Sequence, residues 1–221
     1  MLSRCAGQLV PAFGRLTLST DEEAVLPPAG IIAANHTSLA DPAVVLAALR
    51  RLGARPVIMA TAGLWRVPLL GRALAREGHI PVHRGDPRAA RSVELAQRAL
   101  EQGRHLLIYA EGGLPLRDDA GETEPGAFRR GLARLAHRTG APVVPVGQAG
   151  ARRITSGSPA KQLAGLATAP LRRPRLHVHV GAPFHLDGDG PEATARARLA
   201  VTAAWRTAAA RLGELAALPA A

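Results

Sequence analysis

Disulfides are out of reach for this chain, because its single cysteine, Cys5, can form no internal bridge. A reducing cytoplasm is the expected setting. Cys5 follows Arg4 with no apolar run ahead of it, which argues against a lipid-attachment site. Aromatic residues are also scarce, at 3%. That leaves no stacking platform for single-stranded nucleic acid, and no zinc-finger or RNA-recognition pattern occurs. Long apolar runs are missing as well: the longest, near 42–49 and 141–149, fall far short of the ~20 residues a membrane-spanning helix requires. Residues 1–10 hold no apolar stretch long enough for a secretory signal.

All but one of the 28 basic residues are arginine, Lys161 being the exception. Genome base composition can produce such a bias. The net charge of +11 calls for an anionic partner, either nucleic acid, an anionic membrane surface or a phosphorylated substrate. The shortage of aromatics turns the reading away from nucleic acid.

What is present is 221 residues, 47% of them hydrophobic, enough for one domain with a substantial core. Short apolar runs read as strands near 30–34, 55–60, 80–83, 105–110, 142–147 and 176–180. Helical patterns fall at 42–52, 86–103, 128–138 and 191–217, with a short helix inside 63–78. Residues 1–29 have no strong period, 114–127 read as a polar loop, and 150–174 as a basic stretch rich in Gly, Ser and Pro. The alternation predicts a single α/β domain with a mostly parallel central sheet flanked by helices. Its expected organisation is an N-terminal segment at 1–29, the α/β domain at 30–186 and a C-terminal helix at 187–221, packed on the sheet in preference to a membrane surface.

In such folds, sites lie at the carboxyl ends of strands. Asn35-His36-Thr37-Ser38-Leu39-Ala40-Asp41 stands at one of them, directly after Gly30-Ile31-Ile32-Ala33-Ala34. On a continuous helix, residues five apart would diverge by about 140°. Asp41-Pro42, however, is a helix-start signal, which makes 36–40 a turn that can fold His36 back toward the carboxylate. On spacing alone two readings stand: a catalytic His36–Asp41 pair, or an aspartate that only caps its helix beside a loop histidine. Glu111-Gly112-Gly113 closes a second strand. His177 and His179 share one face of the strand at 176–180, but with no third ligand nearby no metal is expected.

Four blocks together resemble the glycerolipid (lysophospholipid) acyltransferase family, the group that includes 1-acylglycerol-3-phosphate acyltransferase. Residues 35–41 match its N-H-x-S-x-x-D motif at every fixed position. Gly78-His79-Ile80-Pro81-Val82-His83-Arg84 is similar to its G-x-x-F-I-x-R block, with Pro81 where an aromatic is usual. Glu111-Gly112-Gly113 stands where the family has E-G-T-R-S, and Val143-Val144-Pro145-Val146 looks like its V-P-V block. Pro68-Leu69-Leu70-Gly71 and Phe128-Arg129-Arg130-Gly131 resemble connecting segments. The order and spacing of the blocks, over about 30–183, carry the likeness and favour the catalytic reading of His36 and Asp41.

The resemblance implies transfer of a fatty acyl group from a thioester, acyl-CoA or acyl carrier protein acting as co-substrate, to a hydroxyl on a lysolipid. No other cofactor is expected. His36 would be the general base, Asp41 its orienting partner, and Ser38 a turn former and not a nucleophile. Arg84 would bind an acceptor phosphate. Glu111 would help arrange the acceptor site, with Gly112 and Gly113 letting backbone amides approach an anion. Pro145 would shape the sheet. The implied location is cytoplasmic and peripheral, on the inner face of a membrane with anionic lipids. Three positions depart from the pattern: Leu114 replaces an arginine, Pro115 replaces a serine, and Thr61 stands where lysine is common. Arg117 is the nearest downstream substitute. Acyl transfer to a non-phosphate acceptor, or lipid or acyl-carrier binding without catalysis, are the alternatives these departures keep open.

Overall fold

A computed structural model describes residues 2–83, 89–114 and 121–214. Seven strands, β1 (Arg15–Thr20), β2 (Ile31–Ala34), β3 (Val57–Thr61), β4 (Ile80–Val82), β5 (Leu106–Tyr109), β6 (Val143–Ala149) and β7 (Arg175–Val180), form one sheet in the order β1-β7-β6-β2-β5-β3-β4. Neighbours run parallel except β6 and β7, which are antiparallel.

The central strands are buried on both faces, and such strands read as unbroken apolar runs. All four residues of β2 have no exposed surface. Ile32 and Ala34 face a core shared with α1 (Leu2–Phe13) and α2 (Asp41–Arg51), through Ala6, Val10, Val44, Val45 and Leu49. Ile31 and Ala33 face the opposite core, with Ala96 and Leu100 of α4 (Ala89–Glu101), Leu132 and Leu135 of α5 (Gly131–Thr139) and Val201 of α7 (Pro191–Leu212). Helices α3 (Leu70–Arg76) and α6 (Pro159–Arg172) complete the described α-helices.

Helix α7 lies on the sheet. A Cβ on Gly147 of β6 would collide with the backbone of Ala204 and Trp205, so helix and strand touch backbone to backbone there. The Trp205 side chain is 1% exposed, and its indole N–H donates to Glu122 Oε2 at 3.1 Å.

Several sequence expectations are revised. Residues 1–29 carry α1 and β1, and β1 pairs along its whole length with β7. The sheet is therefore completed by a segment that showed no strong period. The stretch 150–174 contains α6, whose start is capped by Ser158 Oγ accepting from the Lys161 amide at 3.4 Å. Internal Gly165 and Pro170 disguise that helix in the sequence. Phe128-Arg129-Arg130 precede α5 without belonging to it. The expected start of α4 at Asp86-Pro87 and the end of the last helix beyond Glu214 lie outside the described residues.

His177 and His179 are bound into the β1–β7 edge. His177 pairs with Thr17 Oγ1 at 2.7 Å and Ser19 Oγ at 2.9 Å. His179 pairs with Ser19 Oγ at 2.9 Å and Asp21 Oδ1 at 3.1 Å. Burial, with Arg211, His179 and Arg175 nearby, lowers the His177 pKa to about 4.

Candidate active site

Strand β2 ends at Ala34, and the chain turns at the carboxyl edge of the sheet before α2 begins. His36 sits in that turn. Its Nδ1–H donates to Asp41 Oδ2 at 2.9 Å, with the histidine side chain 18% exposed and the aspartate 0% exposed. The same Oδ2 accepts the amides of Thr37 at 2.6 Å and Ser38 at 2.8 Å. Asp41 is thus the first residue of α2, but its carboxylate reaches backward into the turn. It does not cap the helix: the cap position is Ala40, with no side-chain cap bond. The helix-cap reading of Asp41 is therefore corrected: Oδ2 takes the imidazole and the two turn amides, and the buried Oδ1 has no partner among the described residues.

Burial raises the Asp41 pKa, opposed by His36 and the two turn amides. With Nδ1 held by the carboxylate, Nε2 is left without a protein partner among the described residues. Tyr109, at the end of β5, stacks on the imidazole with ring centroids 4.3 Å apart and planes inclined by 27°. Its hydroxyl is buried and finds no partner among the described residues. Burial, then the Asp41 charge, raises the Tyr109 pKa well above its usual value, so it remains a phenol.

Glu111 also enters the site, as a backbone clamp. Oε1 accepts the amide of His36 itself at 2.8 Å, and Oε2 accepts that of Gly126 at 2.9 Å. Burial raises its pKa against the pull of these amides. Gly112 has φ 75° and donates its N–H to Tyr109 O at 3.1 Å. That amide is spent on a turn, so the expected approach to an anion does not pass through it. A Cβ on Gly112 would collide with the Arg129 side chain, which places that guanidinium stem over the glycine. The Arg129 amide donates to Ala110 O at 2.9 Å, holding the residue at this strand end. Gly113 is exposed. Arg84 and Arg117 lie outside the described residues.

Ser38 is 2% exposed, and its hydroxyl is engaged with Thr155 and Ala151, which fits a turn former. The turn is braced from β6 and the segment after it. Asn35 and Gln148 exchange two bonds, at 3.0 and 2.8 Å. Gln148 Nε2 donates to Thr37 Oγ1 at 3.1 Å, and Arg152 Nη1 donates to Thr37 O at 3.0 Å. Sequence reasoning missed Tyr109, Arg129, Gln148, Arg152 and Thr155. Two signals were available: Tyr109 is the chain's single tyrosine, and Gln148 is a polar residue inside an otherwise apolar strand. A cleft lined by Arg4, Arg55, Glu77, His79 and Arg104 lies at the amino ends of β3–β5, on the edge away from His36.

The arrangement defines an α/β protein with an oriented imidazole, backed by a buried carboxylate, at the carboxyl edge of its sheet. Residues 16–148 match the family model described as Acyltransferase, and the chain belongs to that family. It is 29% identical over 127 residues to 1-acyl-sn-glycerol-3-phosphate acyltransferase BAT2, chloroplastic, of Brassica napus, covering 56% of this chain and 34% of that protein. The corresponding LPAT1 of Arabidopsis thaliana is 28% identical over 127 residues, covering 56% and 33%. The match thus spans about a third of the length of these relatives. Over its full length, the chain superposes on the crystal structure of the 1-acyl-sn-glycerophosphate (LPA) acyltransferase PlsC from Thermotoga maritima. The TM-score is 0.69 at 17% identity, covering 80% of that chain, which is a likeness of fold. Among the described residues, no helix is long and apolar enough to cross a membrane.

Proposed function

We propose that the protein transfers a fatty acyl group from an acyl thioester, acyl-CoA or acyl carrier protein, to a hydroxyl of a lysophospholipid such as 1-acylglycerol-3-phosphate. The observation that carries this reading is the His36–Asp41 pair, with Nε2 turned away from the carboxylate. A hydroxyl is a poor nucleophile near neutral pH. His36 Nε2 takes its proton as the oxygen attacks the thioester carbonyl. The tetrahedral intermediate collapses to the ester and expels the thiolate, which recovers that proton from the imidazolium. Asp41 holds the ring in the required tautomer and offsets the charge on the imidazolium. Ser38 is engaged in the turn, so no acyl-enzyme is invoked.

For a phosphate-bearing acceptor, the arginine that Leu114 replaces has a substitute in Arg129, whose side chain lies over Gly112 beside Glu111. Arg84 keeps its phosphate-binding assignment from its motif alone. The second reading, transfer to an acceptor without phosphate, is favoured by Leu114 itself.

The test is thioester cleavage with a panel of hydroxyl acceptors, following free thiol. Acceptor-dependent release by the wild type, reduced roughly 10²- to 10⁴-fold in His36→Ala, supports the reading. Release that is absent, or indifferent to His36, overturns it. Arg129→Ala is expected to raise KM roughly 10-fold or more for a lysophosphatidate and to leave KM for a neutral acceptor unchanged. Equal effects on both acceptors would exclude Arg129 as the phosphate ligand.

A further inference from the structure

Helix α6 is built unlike the others. Ala169 is its one fully buried side chain, with Gln162 and Gly165 half-buried on the same side. A Cβ on Gly165 would collide with Ile154 O, so the helix rests close on the segment that braces the catalytic turn. The opposite side is apolar and open. Leu163 is 69% exposed, Leu166 43% and Leu171 88%. Leu163, Leu166 and Pro170 follow the i, i+3, i+7 spacing of one helix face, and Leu163, Ala167 and Leu171 follow i, i+4, i+8. No acid occurs anywhere in residues 150–174. Lys161 and Arg172 lie along a third side of the helix with Thr168, Arg173 follows its last turn, and none of the three pairs with a carboxylate among the described residues. Arg172 and Arg173 bond carbonyl oxygens of Arg153 and Pro11, which leaves their charge in place.

Topology fixes the sheet edge at which this segment is attached. Because β7 returns antiparallel to β6, with Ala149 opposite His177, the 150–174 excursion leaves and re-enters the sheet at one edge. That is the edge where β2 ends and His36 sits. Ser38 and Ala40, on either side of Leu39, both bond Thr155, just before α6. Leu39 is itself 62% exposed. Val67, 45% exposed, and Leu69, 76% exposed, follow the carboxyl end of β3 on the same edge.

We propose that α6, with Leu39 at its approach, is the surface by which the protein lies on an anionic lipid bilayer, presenting the His36 edge to the lipid. An apolar stripe with an uncompensated basic side suits the boundary between acyl chains and anionic headgroups. The choice of a bilayer over a protein partner rests on the proposed function, whose acceptor is a membrane lipid.

The test is sedimentation with vesicles of phosphatidylcholine and phosphatidylglycerol in equal parts, comparing wild type with the double variant Leu163→Ser, Leu166→Ser. Both side chains are solvent-exposed, so an unchanged Tm is expected. The variant should lose vesicle partitioning by roughly 100-fold and keep thiol release with a water-soluble short-chain acceptor. Wild-type binding should fall with salt and with pure phosphatidylcholine. Lys161 gives an independent reading: as the chain's only lysine, its modification by an amine reagent should be suppressed by the mixed vesicles. Equal binding by both proteins, or no wild-type binding, overturns the proposal. So does a wild-type dimer that the double variant breaks in the absence of lipid. Failure of the wild type to release thiol with any acceptor would sink the acyltransferase reading, while α6-dependent vesicle binding would still support the docking surface.

Discussion

At the scale of single residues, two side chains flank the imidazole and each has its own signature. Asp41→Asn keeps the shape but removes the charge that steadies the imidazolium. It is expected to lower kcat by up to ~10⁴, read by single-turnover thiol release. Tyr109 separates ring from hydroxyl. Tyr109→Phe keeps the ring stacked 4.3 Å from His36 and deletes a buried hydroxyl without a partner among the described residues. Activity should therefore change by less than about 3-fold, because no hydrogen bond is lost. Tyr109→Ala frees the imidazole and should cost roughly 10-fold or more in kcat with little change in KM for the thioester.

At the scale of elements, the site depends on how strands end. Glu111 joins the end of β5 to the His36 amide and to Gly126. In Glu111→Gln, the side-chain amide NH2 must face a backbone N–H, so about 1–3 kcal/mol should be lost at that contact. Urea unfolding measures the loss, and a matching fall in kcat would show that it reaches His36. Gly147→Ala drives a methyl into the α7 backbone. An overpacking cost of ~3 kcal/mol would lower Tm by ~6–12 °C for a chain of this size.

The motif residues were legible because their spacing around a strand end is local. His36 and Asp41 lie five apart, and the apolar run before them marks β2. The bracing groups were not legible, because Gln148 and Thr155 reach the turn across 111 to 117 residues. Helix α6 was missed for a different reason: Gly165 and Pro170 fall inside it, and both read as helix breakers in a sequence. The edge strand β1 was hidden because half of it faces solvent: only Leu16 and Leu18 carry its apolar period, and the alternate positions are polar Thr17 and Ser19. Those two residues bond His177 and His179 across the strand pair.

For the whole molecule, the β1–β7 edge makes stability depend on pH. The His177 pKa is 6.5 in a free side chain and about 4 in the folded protein. The unfolded chain therefore takes up a proton first as pH falls. His177 contributes its full stabilisation above pH 6.5, and that contribution drains away between 6.5 and about 4. Buried Asp41, Glu111 and Glu122, whose pKa values are raised by burial, act in the opposite sense. The comparison is therefore between wild type and His177→Gln. The difference in Tm should be larger at pH 7.5 than at pH 4.5, and a constant difference would rule the titration out.

The turn that holds His36 is laid down early in the chain, yet its braces come from residues 148–155, and β1 has no partner until residue 180. On a ribosome, the first 140 or so residues would carry both halves of the dyad without the groups that lock its geometry. Activity should thus arise late in synthesis and all at once, when β6 slides in beside β2, and a nascent chain stalled before that point should be catalytically silent.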